Sequence, residues 1–140
     1  MPDHLARASI HIDAPTRKVW AALTDPAQIK QFLFGAEVRT DWKPGSPISF
    51  TGSYQGKAYV DKGQIVECVP EDRLVHTYWS SMADEPDRPE NYKLVSYTLR
   101  DDGHGTRLTL TQDHNATEEA RQHSEQNWLK VLEGVKKAAE

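Results

Sequence analysis

The feature that most constrains the fold is the end of the chain, which has the pattern of one long amphipathic helix after a sequence patterned mostly as strands. The helical pattern covers residues 117–140, and a rise of 1.5 Å per residue predicts a helix roughly 36 Å long. Asn115 is the predicted N-cap, with Glu118 three residues later as in a capping box. A single long helix on a curved antiparallel sheet predicts a half-open barrel with an internal cavity.

The buried face of this predicted helix is uneven. Its apolar positions recur in steps of three and four. The second half of the face is bulky and the first half is small or polar: Trp128, Val131, Leu132 and Val135 against Ala120, Ser124 and Asn127. Because protein interiors are close-packed, either other side chains fill the volume beside the small half or a ligand occupies it. We favour a ligand pocket.

Composition predicts one folded domain over residues 1–140. The formal net charge of −4 is mild, and no basic stripe suggests nucleic acid as a partner. Cys68 is the one cysteine, which excludes an internal disulfide and fits a reducing cytosol. Residues 1–7 lack the apolar core of a signal peptide, and no apolar run reaches the length of a membrane span. We therefore expect a cytoplasmic protein.

Before the long helix, the pattern predicts a strand, two short helices and about six further strands. The strand is His4–Ile12, where apolar residues alternate. The helices begin at Asp13-Ala14-Pro15 and at Asp25-Pro26. The further strands are predicted at Glu37–Trp42, Ile48–Tyr54, Lys57–Val69, Leu74–Met82, Tyr92–Arg100 and Thr106–His114.

Short turns between these strands require antiparallel pairing. Ala83–Asn91, with two prolines and several acidic residues, is predicted to be an exposed loop. The predicted fold class is therefore α+β. It is a curved antiparallel sheet of about six to seven strands around a long C-terminal helix, with two short helices after the first strand.

Several short segments carry a family resemblance through their order and spacing. They are Ile12–Pro15, Val19–Pro26, Lys43–Gly45, Gly63–Glu67, Pro70–Leu74, Gly105–Leu110 and Trp128–Leu132. Through them the chain resembles the SRPBCC (START-like, helix-grip) superfamily. Within that superfamily it is most similar to the domain family named for the activator of the heat-shock-protein-90 ATPase. The resemblance implies a helix-grip fold with a cavity between the sheet and the C-terminal helix.

Three positions depart from the pattern of that family. The family often has Trp at the end of the second helix, Gly before the C-terminal Trp, and His late in the last strand. This chain has Phe32, Asn127 and Gln112 there. We expect all three to face the cavity, so the ligand of a relative does not transfer to this chain.

The motifs of metal and nucleophilic chemistry are missing from the sequence. No pair among the six histidines has the i, i+4 spacing of a helical zinc site. No G-x-S-x-G elbow, phosphate loop or dinucleotide-binding motif occurs. Cys68 lies in a predicted strand, where a buried, inert thiol is the expected state. We therefore predict no metal site and no cofactor.

The remaining candidate is an amphipathic pocket. Aromatic side chains would form its walls and a few polar groups would give it direction, the usual composition of a small-molecule site. The alternative is a packed core whose polar groups are satisfied internally. The predicted ligand-binding residues are Phe32, Phe50, His76, Tyr78, Tyr97, Gln112, Ser124 and Trp128. No catalytic residue is assigned beyond one candidate, His76, which titrates near neutrality but has no evident orienting carboxylate.

Three functions follow. The first is binding of a small hydrophobic or aromatic molecule, lipid-like or polyketide-like, by a module that senses or sequesters it. The second is an enzyme similar to polyketide cyclases and aromatases of the superfamily, with His76 and Tyr78 or Tyr97 moving protons. The third is a chaperone partner, as the family name suggests, although a lone domain leaves no room for a separate chaperone-binding domain. A homodimer through exposed sheet edges is a further expectation.

Overall fold

The computed structural model describes residues 4–33, 35–81 and 85–140, with only the backbone at Tyr54. Its elements follow the predicted order. They are β1 (His4–Ile12), α1 (Thr16–Thr24), α2 (Pro26–Phe32), β2 (Glu37–Arg39), β3 (Pro47–Tyr54), β4 (Lys57–Val69), β5 (Arg73–Ser80), a 3-10 turn (Pro89–Asn91), β6 (Lys93–Asp101), β7 (Thr106–Asn115) and α3 (Glu118–Ala139).

The strands form one seven-stranded sheet in the order β1-β7-β6-β5-β4-β3-β2, and every neighbouring pair is antiparallel. The α+β helix-grip architecture predicted from the sequence is therefore confirmed. The tight turn between β3 and β4 sets the register of that hairpin. Gln55 and Gly56 both have positive φ, 52° and 82°, as a two-residue hairpin turn with right-handed twist requires.

The helix α3 lies on the sheet and packs against β1, β7, α1 and α2. Its second half is buried through Val131, Leu132, Val135 and Ala139. These side chains join a continuous core with residues of the strands and both short helices. The first half of α3 buries no residue fully, so the uneven face predicted from the sequence is present in the fold.

The predicted N-cap of α3 is wrong. Thr117 caps the helix, because its hydroxyl accepts a hydrogen bond of 3.0 Å from the backbone N–H of Ala120. Asn115 is instead the last residue of β7, and its buried side chain donates to the carbonyl of His4 at 2.8 Å. Both residue types favour an N-cap position, and tertiary burial of Asn115 decides between them.

Two strand boundaries differ from the prediction by more than one residue. The strand predicted at Glu37–Trp42 ends at Arg39, since Trp42 has a φ of 62° and a residue in this left-handed region cannot extend a strand. The strand predicted at Leu74–Met82 ends at Ser80, and Met82 lies outside the described residues. In the predicted loop Ala83–Asn91, residues 83 and 84 are likewise outside them, while residues 85–90 are exposed as predicted.

The short helix α2 forms as its sequence dictates. Asp25 accepts a hydrogen bond of 3.1 Å from the backbone N–H of Ala27, and Pro26 occupies the first helical position. Ile29 and Phe32 are buried and direct this helix against α3. The two short helices thereby close one end of the curved sheet. Among the described residues no helix is both long enough and apolar enough to cross a membrane.

At Gly63 and Gly134 the absence of a side chain permits close packing. A Cβ atom at Gly63 in β4 would lie 1.8 Å from the backbone oxygen of Thr77 in β5, close to where β4 shifts its register between Ile65 and Glu67. A Cβ atom at Gly134 in α3 would lie 2.6 Å from Cβ of Phe32 in α2. Both positions therefore require the absence of a side chain for contact rather than for backbone conformation.

The substitution Gly134→Ala tests the contact between α2 and α3. Helix propensity alone predicts a gain of about 1 kcal/mol in the free energy of unfolding. We expect a net loss of about 1–3 kcal/mol instead, because the new methyl group overlaps the stiff base of the Phe32 side chain. Urea unfolding measures it, with Glu133→Ala on the exposed face as a control that should change stability by less than about 0.5 kcal/mol. A stabilised Gly134→Ala protein would contradict this packing.

Candidate functional site

A cavity of about 470 Å³ lies between the middle of α3, residues 124–131, and the sheet. Strands β3 to β7 supply its floor and one wall, and α3 together with the segment after α2 covers it. Its surface is mostly apolar, with polar groups at separate points. The lining residues are Leu33, Ala36, Phe50, Ser53, Tyr59, Asp61, His76, Tyr78, Ser80, Lys93, Tyr97, Gln112, Ser124, Asn127, Trp128, Lys130 and Val131.

The structure brings seven of the eight sequence-predicted site residues to this cavity. They are Phe50, His76, Tyr78, Tyr97, Gln112, Ser124 and Trp128. Phe32 lies elsewhere: it is 4% exposed, packs under Gly134 and borders a separate void of about 20 Å³ in the core. Of the three positions that depart from the family pattern, Asn127 and Gln112 line the cavity and Phe32 does not. The ligand-binding role of the whole set stays a prediction.

His76 in β5 is buried among aromatic rings. Its ring centroid lies 6.0 Å from that of Phe50 and 6.5 Å from that of Tyr97. Nδ1 donates a hydrogen bond of 2.8 Å to the backbone carbonyl of Thr77, which can only accept. Nε2 is therefore the acceptor nitrogen of the neutral ring. Burial lowers the pKa of His76 below its ordinary value of 6.5, against the opposing effect of the Thr77 hydrogen bond, so the imidazole is neutral at pH 7.

The two tyrosines beside His76 keep their protons. Burial, followed by the negative charge of Asp61, raises the pKa of Tyr78 well above its ordinary value of 10.0. Burial also raises the pKa of Tyr97. Their hydroxyl groups are therefore hydrogen-bonding groups and poor bases at neutral pH. The ring of Tyr78 also meets Trp128 edge-on, with centroids 6.4 Å apart, which joins β5 to α3 across the cavity.

Asp61 in β4 is the main polar residue that sequence analysis missed. Its Oδ2 accepts a hydrogen bond of 2.7 Å from the Tyr78 hydroxyl. Its Oδ1 is buried and has no hydrogen-bond partner in the described part of the chain. The cross-strand pair of Asp61 is Phe50, a residue predicted to line the site. The tight turn at Gln55-Gly56 fixes that register, so the sequence did contain a signal for this carboxylate.

A buried polar network holds α3 against β7. The indole N–H of Trp128 donates to Oε1 of Gln112 at 2.7 Å, and Nε2 of Gln112 donates to the Asp113 carbonyl at 2.8 Å. The Ser124 hydroxyl donates to Oδ1 of Asn115 at 2.7 Å. Gln112 and Asn115 are only 4% and 5% exposed. Gln112 therefore orients the helix, and most of its hydrogen-bonding capacity is already used.

The described residues offer no group of three or more His, Cys, Asp or Glu side chains that could hold a metal ion. Cys68 in β4 is partly buried beside the core, and burial raises the pKa of its thiol above its ordinary value of 9.0. A protonated thiol is a weak nucleophile. The side chains that line the cavity supply hydrogen-bonding groups and apolar contacts.

The substitution His76→Gln tests the buried neutral imidazole. Because the pKa of His76 is lower in the folded chain than in the unfolded chain, protonation below about pH 6.5 favours unfolding. The wild-type free energy of unfolding should therefore fall by up to about 1.4 kcal/mol per pH unit more than that of His76→Gln as the pH decreases. Urea unfolding between about pH 8 and pH 5 measures both slopes. Parallel slopes in the two proteins would show that His76 is not buried neutral.

The substitution Trp128→Phe tests the link between α3 and β7. It removes the donor to Gln112 and leaves a buried acceptor unsatisfied, so we expect a loss of about 1–3 kcal/mol in the free energy of unfolding beyond the loss of packing. Trp20→Phe is the matched control, because the indole of Trp20 is partly buried and donates no hydrogen bond within residues 4–33, 35–81 and 85–140. Equal losses in thermal or urea unfolding would contradict a contribution from the hydrogen bond.

Comparisons with known protein families and solved structures agree with this architecture. The family model described as activator of Hsp90 ATPase homolog 1-like protein matches residues 13–140. No curated protein matches the chain. The solution structure of ChR145 from Cytophaga hutchinsonii is 43% identical, with a TM-score of 0.85 and coverage of 98% of this chain and 94% of that one.

Two more distant structures share the fold. DynU16, a protein in the dynemicin biosynthetic locus, is 20% identical with a TM-score of 0.79, and the match covers 97% of this chain and 47% of DynU16. The Aha1 dimer from Colwellia psychrerythraea is 18% identical with a TM-score of 0.74, covering 97% and 96%. The family model covers nearly the whole chain and agrees with the resemblance seen in the sequence. The chain therefore belongs to the family of activator of Hsp90 ATPase homolog 1-like proteins.

Proposed function

We propose that this protein binds a small hydrophobic or aromatic molecule, lipid-like or polyketide-like, in the cavity between the sheet and α3. The observation that carries the proposal is the cavity itself. Its volume of about 470 Å³ lies within the range of small-molecule sites. It is too large for a packing defect, because native interiors hold few voids larger than a water molecule.

The walls of the cavity suit such an occupant. Phe50, Tyr97 and Trp128 present aromatic surface, and Val131 and Leu33 add aliphatic surface. Burial of an apolar body against these side chains stabilises the complex in proportion to the area removed from water. The polar groups are few and lie apart, which fixes the orientation of a ligand without making the site hydrophilic.

Family and fold support a small-molecule role without naming a ligand. DynU16 shares the fold and is a protein of a biosynthetic locus, which favours a small organic molecule as the kind of occupant. We also place this protein in the cytoplasm, since Cys68 is unpaired and only partly shielded from solvent. The dimeric state of the Colwellia protein supports a homodimer as a further proposal.

The geometry favours binding over catalysis, although one observation supports an enzyme similar to cyclases as the second candidate. Nε2 of the neutral His76 is available as a base. However, Nδ1 is held by a backbone carbonyl rather than by a carboxylate, and both neighbouring tyrosines stay protonated. In the enzyme hypothesis, His76→Ala abolishes turnover of a bound polyketide-like compound and leaves its affinity mostly intact. Loss of neither would dismiss catalysis by His76.

A contact with a chaperone ATPase is the third candidate, and it comes from the family description alone. No contact within the cavity bears on it. An ATPase assay with the chaperone in the presence and absence of this protein separates it from the first two candidates.

The substitution Asn127→Trp tests the binding function. Asn127 lines the cavity on α3, so an indole there should fill part of the space and compete with a ligand. We expect the fluorescent probe N-phenyl-1-naphthylamine to bind the wild-type protein and to bind the variant at least about tenfold more weakly, which corresponds to about 1.4 kcal/mol. Bound probe should also raise the melting temperature of the wild-type protein.

The matched control is Gln126→Trp, which adds the same side chain at the preceding position of α3. Gln126 is exposed, as Asn127 is, but it does not line the cavity. It should bind the probe as the wild-type protein does. If the wild-type protein neither binds the probe nor gains thermal stability from it, the proposed function is wrong.

A further inference from the structure

One end of the cavity holds a carboxylate that is only half satisfied. Asp61 lines the cavity beside Tyr78, and its Oδ2 accepts a hydrogen bond of 2.7 Å from the Tyr78 hydroxyl. Oδ1 of the same carboxylate is buried without a hydrogen-bond partner among the described residues. Because a buried acceptor without a donor is unfavourable, and more so for a charged group, such atoms in native proteins normally meet a water molecule or a ligand.

No cationic side chain in the described ranges forms an ion pair with Asp61. Lys62, its neighbour in sequence, pairs with Asp87 at 2.6 Å outside the cavity. Lys93 and Lys130 line the cavity without an ion pair to Asp61 among the described residues, and Nζ of Lys93 donates to the carbonyl of His114 at 2.8 Å. The negative charge is felt locally, since it contributes, after burial, to the raised pKa of Tyr59 and of Tyr78.

Along β5 and β7, the hydrogen bonds that His76 and Gln112 already form leave acceptors rather than donors free. Nδ1 of His76 donates a hydrogen bond to the Thr77 carbonyl, which leaves Nε2 as an acceptor. The amide of Gln112 donates to Asp113 and Asn115 and accepts from Trp128. The hydroxyl of Tyr78 is committed to Asp61. A molecule beside β4 and β5 therefore meets the carboxylate of Asp61 and the acceptor nitrogen of His76.

We propose that Asp61 is the polar anchor of the site, and that the cavity selects apolar molecules with a hydrogen-bond-donating head, a protonated amine in preference to a hydroxyl. This inference rests on the proposed binding function and adds the class of ligand. The head donates to the carboxylate of Asp61, and the apolar body lies against Phe50 and Trp128. A charge-assisted hydrogen bond to a buried carboxylate strengthens binding of a cation most. Ligands with a carboxylate head are disfavoured, because like charges repel at short range.

The test compares three probes with one naphthalene body and different heads: 2-naphthylmethylamine, 2-naphthylmethanol and 2-naphthylacetic acid. Isothermal titration calorimetry at pH 7 measures the three affinities for the wild-type protein. We expect the amine to bind at least about tenfold more tightly than the acid, with the alcohol between them. Equal affinities, or tightest binding of the acid, would overturn the inference without any variant.

The variant Asp61→Asn keeps the shape of the side chain and removes its charge. It should bring the affinities for amine and acid to within about threefold of each other. The control Glu67→Gln removes one negative charge from the same strand at a residue paired with Arg73, and it should keep the wild-type order. An unchanged preference in folded Asp61→Asn would overturn the role of Asp61.

Failure of this inference can be told from failure of the proposed function. If N-phenyl-1-naphthylamine binds and 2-naphthylmethylamine does not, the head-group selectivity is wrong and the binding function stands. If no probe binds and none shifts the melting temperature, the binding function itself is wrong, and the inference falls with it.

Discussion

The hydrogen bond from Trp128 to Gln112 joins α3 to the sheet at the edge of the cavity, next to the apolar side chains that bury the second half of the helix. It fixes the helix to β7 at the point where the bulky half of its inner face ends. Beyond that point Ser124 is held by Asn115, so the first half of the helix stays near the sheet although it brings little apolar volume. The helix is therefore attached at both halves but fills space in only one. The cavity is a consequence of this uneven filling.

The same contacts give the cavity its chemical character. The side-chain amides of Gln112 and Asn115 already form the hydrogen bonds that hold the helix. Polar groups farther away, on β4 and β5, keep unused capacity at Asp61 and His76. The amides beside α3 therefore have their hydrogen bonds formed, whereas Asp61 and His76 on β4 and β5 keep free acceptors. This polarity, rather than the volume alone, distinguishes the site from a general apolar hollow.

The sequence predicted the fold well because its strongest signals are local. Alternation, turn residues and the helical period specify the elements, and the turn at Gln55-Gly56 sets the register that pairs Phe50 with Asp61. The misses have tertiary causes. Thr117 and Asn115 are both good caps, and only the burial of Asn115 separates them. The side on which Phe32 is buried depends on how α2 meets Gly134, over a hundred residues later, which no local pattern encodes.

Gly63 in β4 affects the orientation of the His76 imidazole in β5. The Thr77 carbonyl accepts a hydrogen bond from Nδ1 of His76, and it occupies the space that a Cβ atom at position 63 would need. Any side chain at position 63 would push this carbonyl away and release the ring from its single anchor. The tautomer of His76 determines which ring nitrogen can accept a hydrogen bond from a bound molecule. This tautomer therefore depends on the absence of a side chain at position 63 of the neighbouring strand.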